Sequence, residues 1–448
     1  MTPEEDDLQV IIACPASYSL IDAEGQRLEG GKGEVRLDEE SISILPDFNE
    51  AFRITFRDIA KAVPNDYKIR LALASGGFIE VFDLGYHYED FLRILGNLCN
   101  DVLLEDLLME DSLKKSGVEA HFAYFEDGNI ETRSGECGLS LYETALVIIP
   151  NGEEPVRIPY TLVDEVIDQD HTLTVTTDIG ERFVLSMMGA QFDSVKQVLS
   201  DVMNELSLKV QSSLKELVPK AGPLVIRQAA RLMREGRAAR RIDLEKISPA
   251  LWTELEKMLS VAGVEQEYEF LKSLGQKERM CIGLKRGLLG DLTGEYIWFL
   301  IPIYGEDSKV AGNAIAMESA SLEESAGKAT YFFRVIGREE YARSDSQKSL
   351  DEEVDAAIKN INRCMLAINF RREPVYLSDE RLTEPRYRKY QYAIEKIPEL
   401  KILRKLFIGR IVHSSVEQWQ QNVLDLLTFN VNSRDDDEKW RRDSSAGL

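Results

Sequence analysis

The chain has 448 residues, 44% of them hydrophobic and 29% charged, with 78 acidic against 54 basic side chains and a net charge of −24. That length exceeds one ordinary domain and supports several separate cores. The negative field disfavours phosphoinositide, membrane and general nucleic-acid surfaces, and no apolar run nears the roughly 18 residues that span a bilayer.

The N-terminus, MTPEEDDLQVIIACPASYS, carries acid where a secretory or organelle presequence carries base. The five cysteines (Cys14, Cys99, Cys137, Cys281, Cys364) are odd in number and scattered. Together these features predict reduced, buried thiols and a cytoplasmic protein.

Residues 52–73, FRITFRDIAKAVPNDYKIRLAL, align without a gap on residues 156–177, VRIPYTLVDEVIDQDHTLTVTT, at an offset of 104. In the first copy Phe52, Ile54 and Phe56 alternate with polar residues, as in a half-buried strand; Ile59 and Val63 then fall on the opposite parity. In the second, Val156, Ile158 and Tyr160 precede Val163 and Ile167. A strand whose inward side switches parity contains a bulge or corner, here near Arg57 and Asp58.

Downstream, Gly76 faces Gly180 and Gly85 faces Gly189 at the same offset, bounding the short strands FIEVFDL and RFVLSMM. Helical spacing follows: Phe91, Ile94, Leu95 and Leu98 in one copy, Val195, Val198, Leu199 and Val202 in the other. Upstream, GEVRLDEESISILP and GECGLSLYETALVIIP share a Gly-Glu start and a proline end. Each copy therefore reads as six or seven short antiparallel strands with a bulged corner, closed by one amphipathic helix.

On the residues ITFRDIAKAV and IPYTLVDEVI, each followed by two strands and a helix, the first half of the chain resembles the pleckstrin-homology-like (PH-like) barrel. That fold is a strongly bent sheet plugged by its C-terminal helix, which leaves fewer exposed strand edges than a flat meander. The resemblance implies one of two roles. Some members bind phosphoinositides through bases in the first inter-strand loop, but AEGQRLEGGKGEVRLDEE and DGNIETRSGECG here hold as many acids as bases or more. Others hold peptides on an open strand edge beside the helix.

The second helix runs from about Phe192 to Leu217 and stops at Pro219 and Gly222. Three helices follow: one from Pro223 to Gly236, the next opening at Ser248-Pro249 and closed by Gly263, and a third after it. Past Gly275 the segments MCIGLKRGLLGD, GEYIWFLIPIYG, VAGNAIAMES and ATYFFRVIGREEY read as antiparallel strands, followed by helices over LDEEVDAAIKNINRCMLAI and over 385–427, broken at Pro398. The expected fold is α+β and multidomain: PH-like barrels over 1–115 and 116–217, a helical connector over 218–275, an α+β domain with an antiparallel sheet over 276–430, and a disordered tail over 431–448.

Catalytic signals are sparse. His87, His121, His171 and His413 show no metal-binding spacing, and no metal or cofactor is expected. The run GLLGDLTG lacks the Gly-Lys-Ser/Thr ending of a phosphate loop and leads into a strand; SLKK at Ser112 lacks the companion motifs of acyl-transfer enzymes. One cluster stands out: Arg227, Arg231, Arg234, Arg237, Arg240 and Arg241, set against a single acid, Glu235. The ridge could grip an acidic or phosphate-bearing partner, or dock on the protein's own acidic surface.

The expected function is a non-catalytic interaction scaffold or adaptor that binds peptide or protein partners, basic ones included; paired domains of this kind in acidic chains also resemble those of histone chaperones. The alternative is an enzyme or nucleotide-responsive regulator with a pocket near Arg286, Tyr296, Trp298 and Arg334 of the C-terminal domain.

Overall fold

The computed structural model describes residues 9–432 except 74–75, 107–111, 127–129, 152–154, 287–294, 306–311, 322–327, 342–346, 369, 388–389, 392 and 395–396, and also Trp440. The run GLLGDLTG and most of the C-terminal tail lie outside the described residues.

The two copies fold alike. The first comprises β1 (Ile12–Ile21), β2 (Arg27–Leu37), β3 (Ser41–Pro46), β4 (Phe52–Thr55), β5 (Ile59–Asn65), β6 (Lys68–Leu73), β7 (Phe78–Phe82) and helix α1 (Tyr88–Asp106). The second comprises β8 (Leu113–Glu126), β9 (Ile130–Tyr142), β10 (Ala145–Pro150), β11 (Val156–Pro159), β12 (Val163–Gln169), β13 (Thr172–Thr177), β14 (Arg182–Ser186) and α2 (Phe192–Leu217). Each is a seven-stranded antiparallel sheet, in the orders β4-β3-β2-β1-β7-β6-β5 and β11-β10-β9-β8-β14-β13-β12. These curled half-barrels fit the PH-like fold. The expected boundary between residues 115 and 116 falls inside β8.

The duplication reaches the backbone. Asp66-Tyr67 and Asp170-His171 both have positive φ at two successive residues, the geometry of a two-residue hairpin turn. Asp83 and Met187, Gly85 and Gly189, and Gly76 and Gly180 likewise share positive φ at the offset of 104. Even the ring contacts repeat: Tyr67 lies 5.3 Å from Tyr88, and His171 lies 5.4 Å from Phe192. His171 therefore does the packing work that Tyr67 does.

The corner differs in detail from expectation. A 3-10 turn (Phe56–Asp58, Tyr160–Leu162) separates the halves of each corner, so β4 and β5 end up on opposite edges of one sheet, as do β11 and β12. A bulge just past the turn, between Ile59 and Lys61 and between Val163 and Glu165, shifts parity once more. The inward residues are then Ile59 with Ala62, and Val163 with Val166. Val63 and Ile167, expected inside, are 36% and 43% exposed.

The plug helices behave as their spacing predicts. Phe91 and Leu95 of α1, and Val195, Leu199 and Val202 of α2, are buried in their respective barrels. Helix α2 goes further: Leu206 belongs to the barrel core, whereas Leu214 belongs to the core of the C-terminal half. One continuous rod thus has its two ends in two cores.

The C-terminal sheet has six antiparallel strands in sequential order: β15 (Ala239–Arg240), β16 (Cys281–Arg286), β17 (Glu295–Ile303), β18 (Ala314–Ser321), β19 (Ala329–Arg334) and β20 (Phe407–Val412). Two of these correct the sequence reading, which left 239–240 between helices of the connector and placed 407–412 in a helical segment. Both are edge strands, recruited by a neighbouring strand. Along β17 the residues alternate between two cores: Ile297, Phe299 and Ile301 face one, Trp298 and Leu300 the other. A strand covered on both faces reads as a continuous apolar run, which explains IWFLI.

The cover on one face comes from α3 (Pro223–Leu232), α4 (Arg241–Ile247), α5 (Pro249–Val261) and α6 (Glu265–Leu274), four helices where three were expected. Pro223 and Pro249 occupy first turns as predicted, and Gly263 closes α5 with φ +67°. The expected connector is therefore half of a sandwich around this sheet. The opposite face is covered by α8 (Gln347–Ala367), which follows the short α7 (Arg338–Tyr341), and by the helix Pro398–Leu406. The helix Val416–Asn432 returns to the first face through Trp419 and Val423. Within the tail, Trp440 has its ring 6.3 Å from Phe429.

Candidate functional site

A buried arginine helps fasten the second barrel to the C-terminal half, with which its Ala145, Val147 and Leu162 share an apolar core. Arg363 on α8 has a side chain only 7% exposed. It donates to Asp178 at 2.6 Å, to Glu399 at 2.9 Å and to Glu181 at 3.5 Å. Asp178 and Glu181 flank the β13–β14 turn, so the turn is clamped end to end. Arg237 adds a bond to Asp178 at 2.8 Å, and the Lys359 ammonium donates to the Asp178 carbonyl at 2.8 Å. On the far edge of the same barrel, Arg157 of β11 donates to the Ala367 carbonyl at 2.6 Å. Burial alone would push the Arg363 guanidinium down, but Glu399, Asp178 and Glu181 outweigh it and hold the group above its ordinary value.

Most of the arginine ridge is engaged within the chain. Arg237 serves the Asp178 clasp directly. Arg240 pairs with Asp243 at 2.7 Å and Asp355 at 3.1 Å, and Arg241 pairs with Glu245 at 2.8 Å. Arg234 donates to the Val163 carbonyl, with Asp164 at 3.9 Å. The remaining two, Arg227 and Arg231, are exposed on α3. The structure thus splits the six into four with acids of this chain near them and two directed outward.

Arg227, Arg231 and Arg234 line a cleft of about 430 Å³ between the 3-10 turn Tyr160–Leu162, α2 and α3. Its wall carries Met203, Leu206, Val210 and Ala230 beside the polar Asn204 and Ser207, and its one acid is Asp164. Burial pushes the Arg234 guanidinium below its ordinary value; Asp164 and Asp178 raise it, and Arg231 and Arg237 lower it. Thr161, on the cleft's lining, is 5% exposed, and its hydroxyl has no hydrogen-bond partner. Sequence reasoning found these arginines from charge density; Thr161 carried no signal.

Gly236 ends this segment with φ +97°, as its position in sequence predicts. A Cβ there would stand 2.8 Å from the Lys285 Cβ. Gly236→Ala is expected to cost about 1–3 kcal/mol through backbone strain and this crowding, read as a lower urea midpoint with an unchanged m-value.

Three of the four side chains of the alternative pocket bond or pack within the chain. Trp298 is fully buried, donates its indole N–H to the Gly236 carbonyl at 2.6 Å and meets Phe370 edge-on at 5.2 Å. Arg334 donates to the Asn430 side chain at 2.9 Å, and Tyr296 packs against the core. The side chain of Arg286 lies outside the described residues. Ser112 of SLKK is exposed, and its carbonyl accepts from the Glu143 amide at 3.0 Å. Burial pushes the thiols of Cys99 and Cys137 up, to about 12 and about 11, so neither is a ready thiolate.

One cluster escaped sequence reasoning. Glu318 of β18 is fully buried and accepts from the Thr330 hydroxyl at 2.8 Å. His413 Nε2 lies 3.1 Å from Glu318 Oε1, within ion-pair range though off the line of a hydrogen bond; His413 Nδ1 lies 3.4 Å from Glu267. Thr, His and Glu in contact invite a nucleophile-base reading, but Thr330 is fully buried and out of a substrate's reach. Among the described residues no group of three or more His, Cys, Asp or Glu side chains is placed to hold a metal ion, and no helix is long and apolar enough to cross a membrane.

No protein family profile and no curated protein matches this chain. Among solved structures, it is similar to the C-terminal domain of an unknown protein from Leishmania infantum, at 14% identity over 23% of this chain and 95% of that one, with a TM-score of 0.19. It is also similar to the Spt16D Pob3N heterodimer, at 14% identity over 38% of this chain and 84% of that one, with a TM-score of 0.16. At these scores neither likeness bears on function.

Proposed function

We propose that the chain is a non-catalytic, cytoplasmic interaction scaffold of tandem PH-like domains, in which the second barrel is a fixed mount and the first presents an edge to a basic peptide or protein segment. The supporting observation is the unequal fate of one strand edge. In the second barrel, the start of edge strand β12 is occupied by the chain itself: Arg234 donates to the Val163 carbonyl, and α3 runs beside α2. The equivalent position in the first barrel is Ile59 of β5. There, among the described residues, the element after α1 is β8, with no counterpart of α3.

Charge favours a basic occupant. Residues 1–106 hold 22 acidic against 9 basic side chains, a disproportionate share of the chain's net charge. An extended segment adding to β5 would gain backbone hydrogen bonds, and the acid excess of the barrel as a whole would steer it. Pro64 limits that pairing to the first half of the strand, since it has no N–H to offer.

Site-matched photo-crosslinking tests the reading. A photoreactive residue at Lys61 is expected to trap basic proteins several-fold more than one at its repeat equivalent, Glu165, and the yield should fall as salt rises. Equal yields at the two sites would remove the argument for the first barrel.

A further inference from the structure

We propose that the cleft between the 3-10 turn Tyr160–Leu162, α2 and α3 binds a phosphate ester with an apolar body, gripping the phosphate with Arg227, Arg231 and the Thr161 hydroxyl. This site is independent of the first barrel's edge.

Three observations converge on it. The cleft of about 430 Å³ is the size of a small-ligand site and has an apolar wall of Met203, Leu206 and Val210. In a chain of net charge −24, three arginines meet one carboxylate there. That local excess is held in place by Arg234, whose guanidinium is anchored on the Val163 carbonyl, while Arg227 and Arg231 remain exposed. A buried hydroxyl without a partner is costly, and Thr161 keeps one on the cleft lining. A phosphate satisfies all of these at once. It brings two negative charges and three strong acceptors to arginine forks that match its geometry, and it accepts from the threonine hydroxyl. The apolar wall then favours an ester over the bare ion.

Calorimetric titration of the full chain with phenyl phosphate, inorganic phosphate and a phosphotyrosine peptide provides the test. Phenyl phosphate is expected to bind at least about tenfold more tightly than inorganic phosphate, a difference of about 1.4 kcal/mol. The double variant Arg227→Gln/Arg231→Gln should lose at least about tenfold in affinity with an unchanged melting temperature, because both side chains are exposed. Thr161→Val, which keeps the shape and removes the hydroxyl, should also weaken binding. A peptide binding more tightly than phenyl phosphate supports the site and makes its ligand protein-borne; a peptide binding more weakly supports it with a free ester as ligand. The proposal fails if phenyl phosphate shows no binding at millimolar concentration, if inorganic phosphate binds equally well, or if the double variant binds like the parent.

Discussion

Arg363→Ala is expected to destabilise the folded chain by about 3–5 kcal/mol, the cost of breaking a buried ion pair from one side. The substitution removes the cation that faces Asp178, Glu181 and Glu399 within 3.5 Å. Arg237 still reaches Asp178, but Glu399 loses its bond to Arg363 altogether. Because Asp178 and Glu181 belong to the second barrel and Arg363 to α8, the loss should appear as separation of the barrel from the C-terminal half. Two signatures follow: a lower midpoint of the first urea transition, and faster amide exchange across the β13–β14 turn. Arg363→Lys should recover only part of the loss, since an ammonium cannot fork between three carboxylates. A loss below about 1 kcal/mol for the alanine variant would place the clasp among solvated surface pairs and overturn its role.

His413→Leu should cost about 3 kcal/mol, because it leaves the fully buried Glu318 with Thr330 as its remaining close partner. The double variant His413→Leu/Glu318→Leu is expected to regain most of that stability, since removing both members of a buried pair leaves no uncompensated charge. Strict additivity of the two single variants would show that His413 and Glu318 are not coupled. The pair sits where β18, β19 and β20 run side by side beneath α6, so its loss should be felt across the C-terminal sheet and leave the first barrel's melting unchanged.

Local signals carried much of the fold. The turns at Asp66-Tyr67 and Asp170-His171, the helix bounds at Phe192 and Leu217, the proline starts at Pro223 and Pro249 and the glycine stops at Gly236 and Gly263 all depend on backbone preferences within a few residues. The two missed strands depend on nothing local. Ala239–Arg240 is too short to show a period, and FIGRIV lies in a run otherwise compatible with helix. Each becomes a strand because β16 or β19 offers it an edge. The inward place expected for Val63 and Ile167 failed for a similar reason. A one-residue bulge reverses every later side chain, and the bulge forms only once β5 and β12 pair with β6 and β13.

The candidate sites divide the same way. The arginines are conspicuous as charge in an acidic chain, and from that alone a partner-binding ridge and an internal dock were both open readings. Distance in space shows which of them bond within the chain: Arg237 meets Asp178 across 59 residues, and Arg234 meets Val163 across 71. Sequence by itself determined that the first half is a duplicated, helix-capped curled sheet, because hydrophobic period and turn chemistry repeat in register and act over short spans. Only the tertiary structure decided which copy is fastened to the C-terminal half. That asymmetry comes from α3 packing beside α2 and from buried ion pairs, contacts that exist only after distant segments have been brought together.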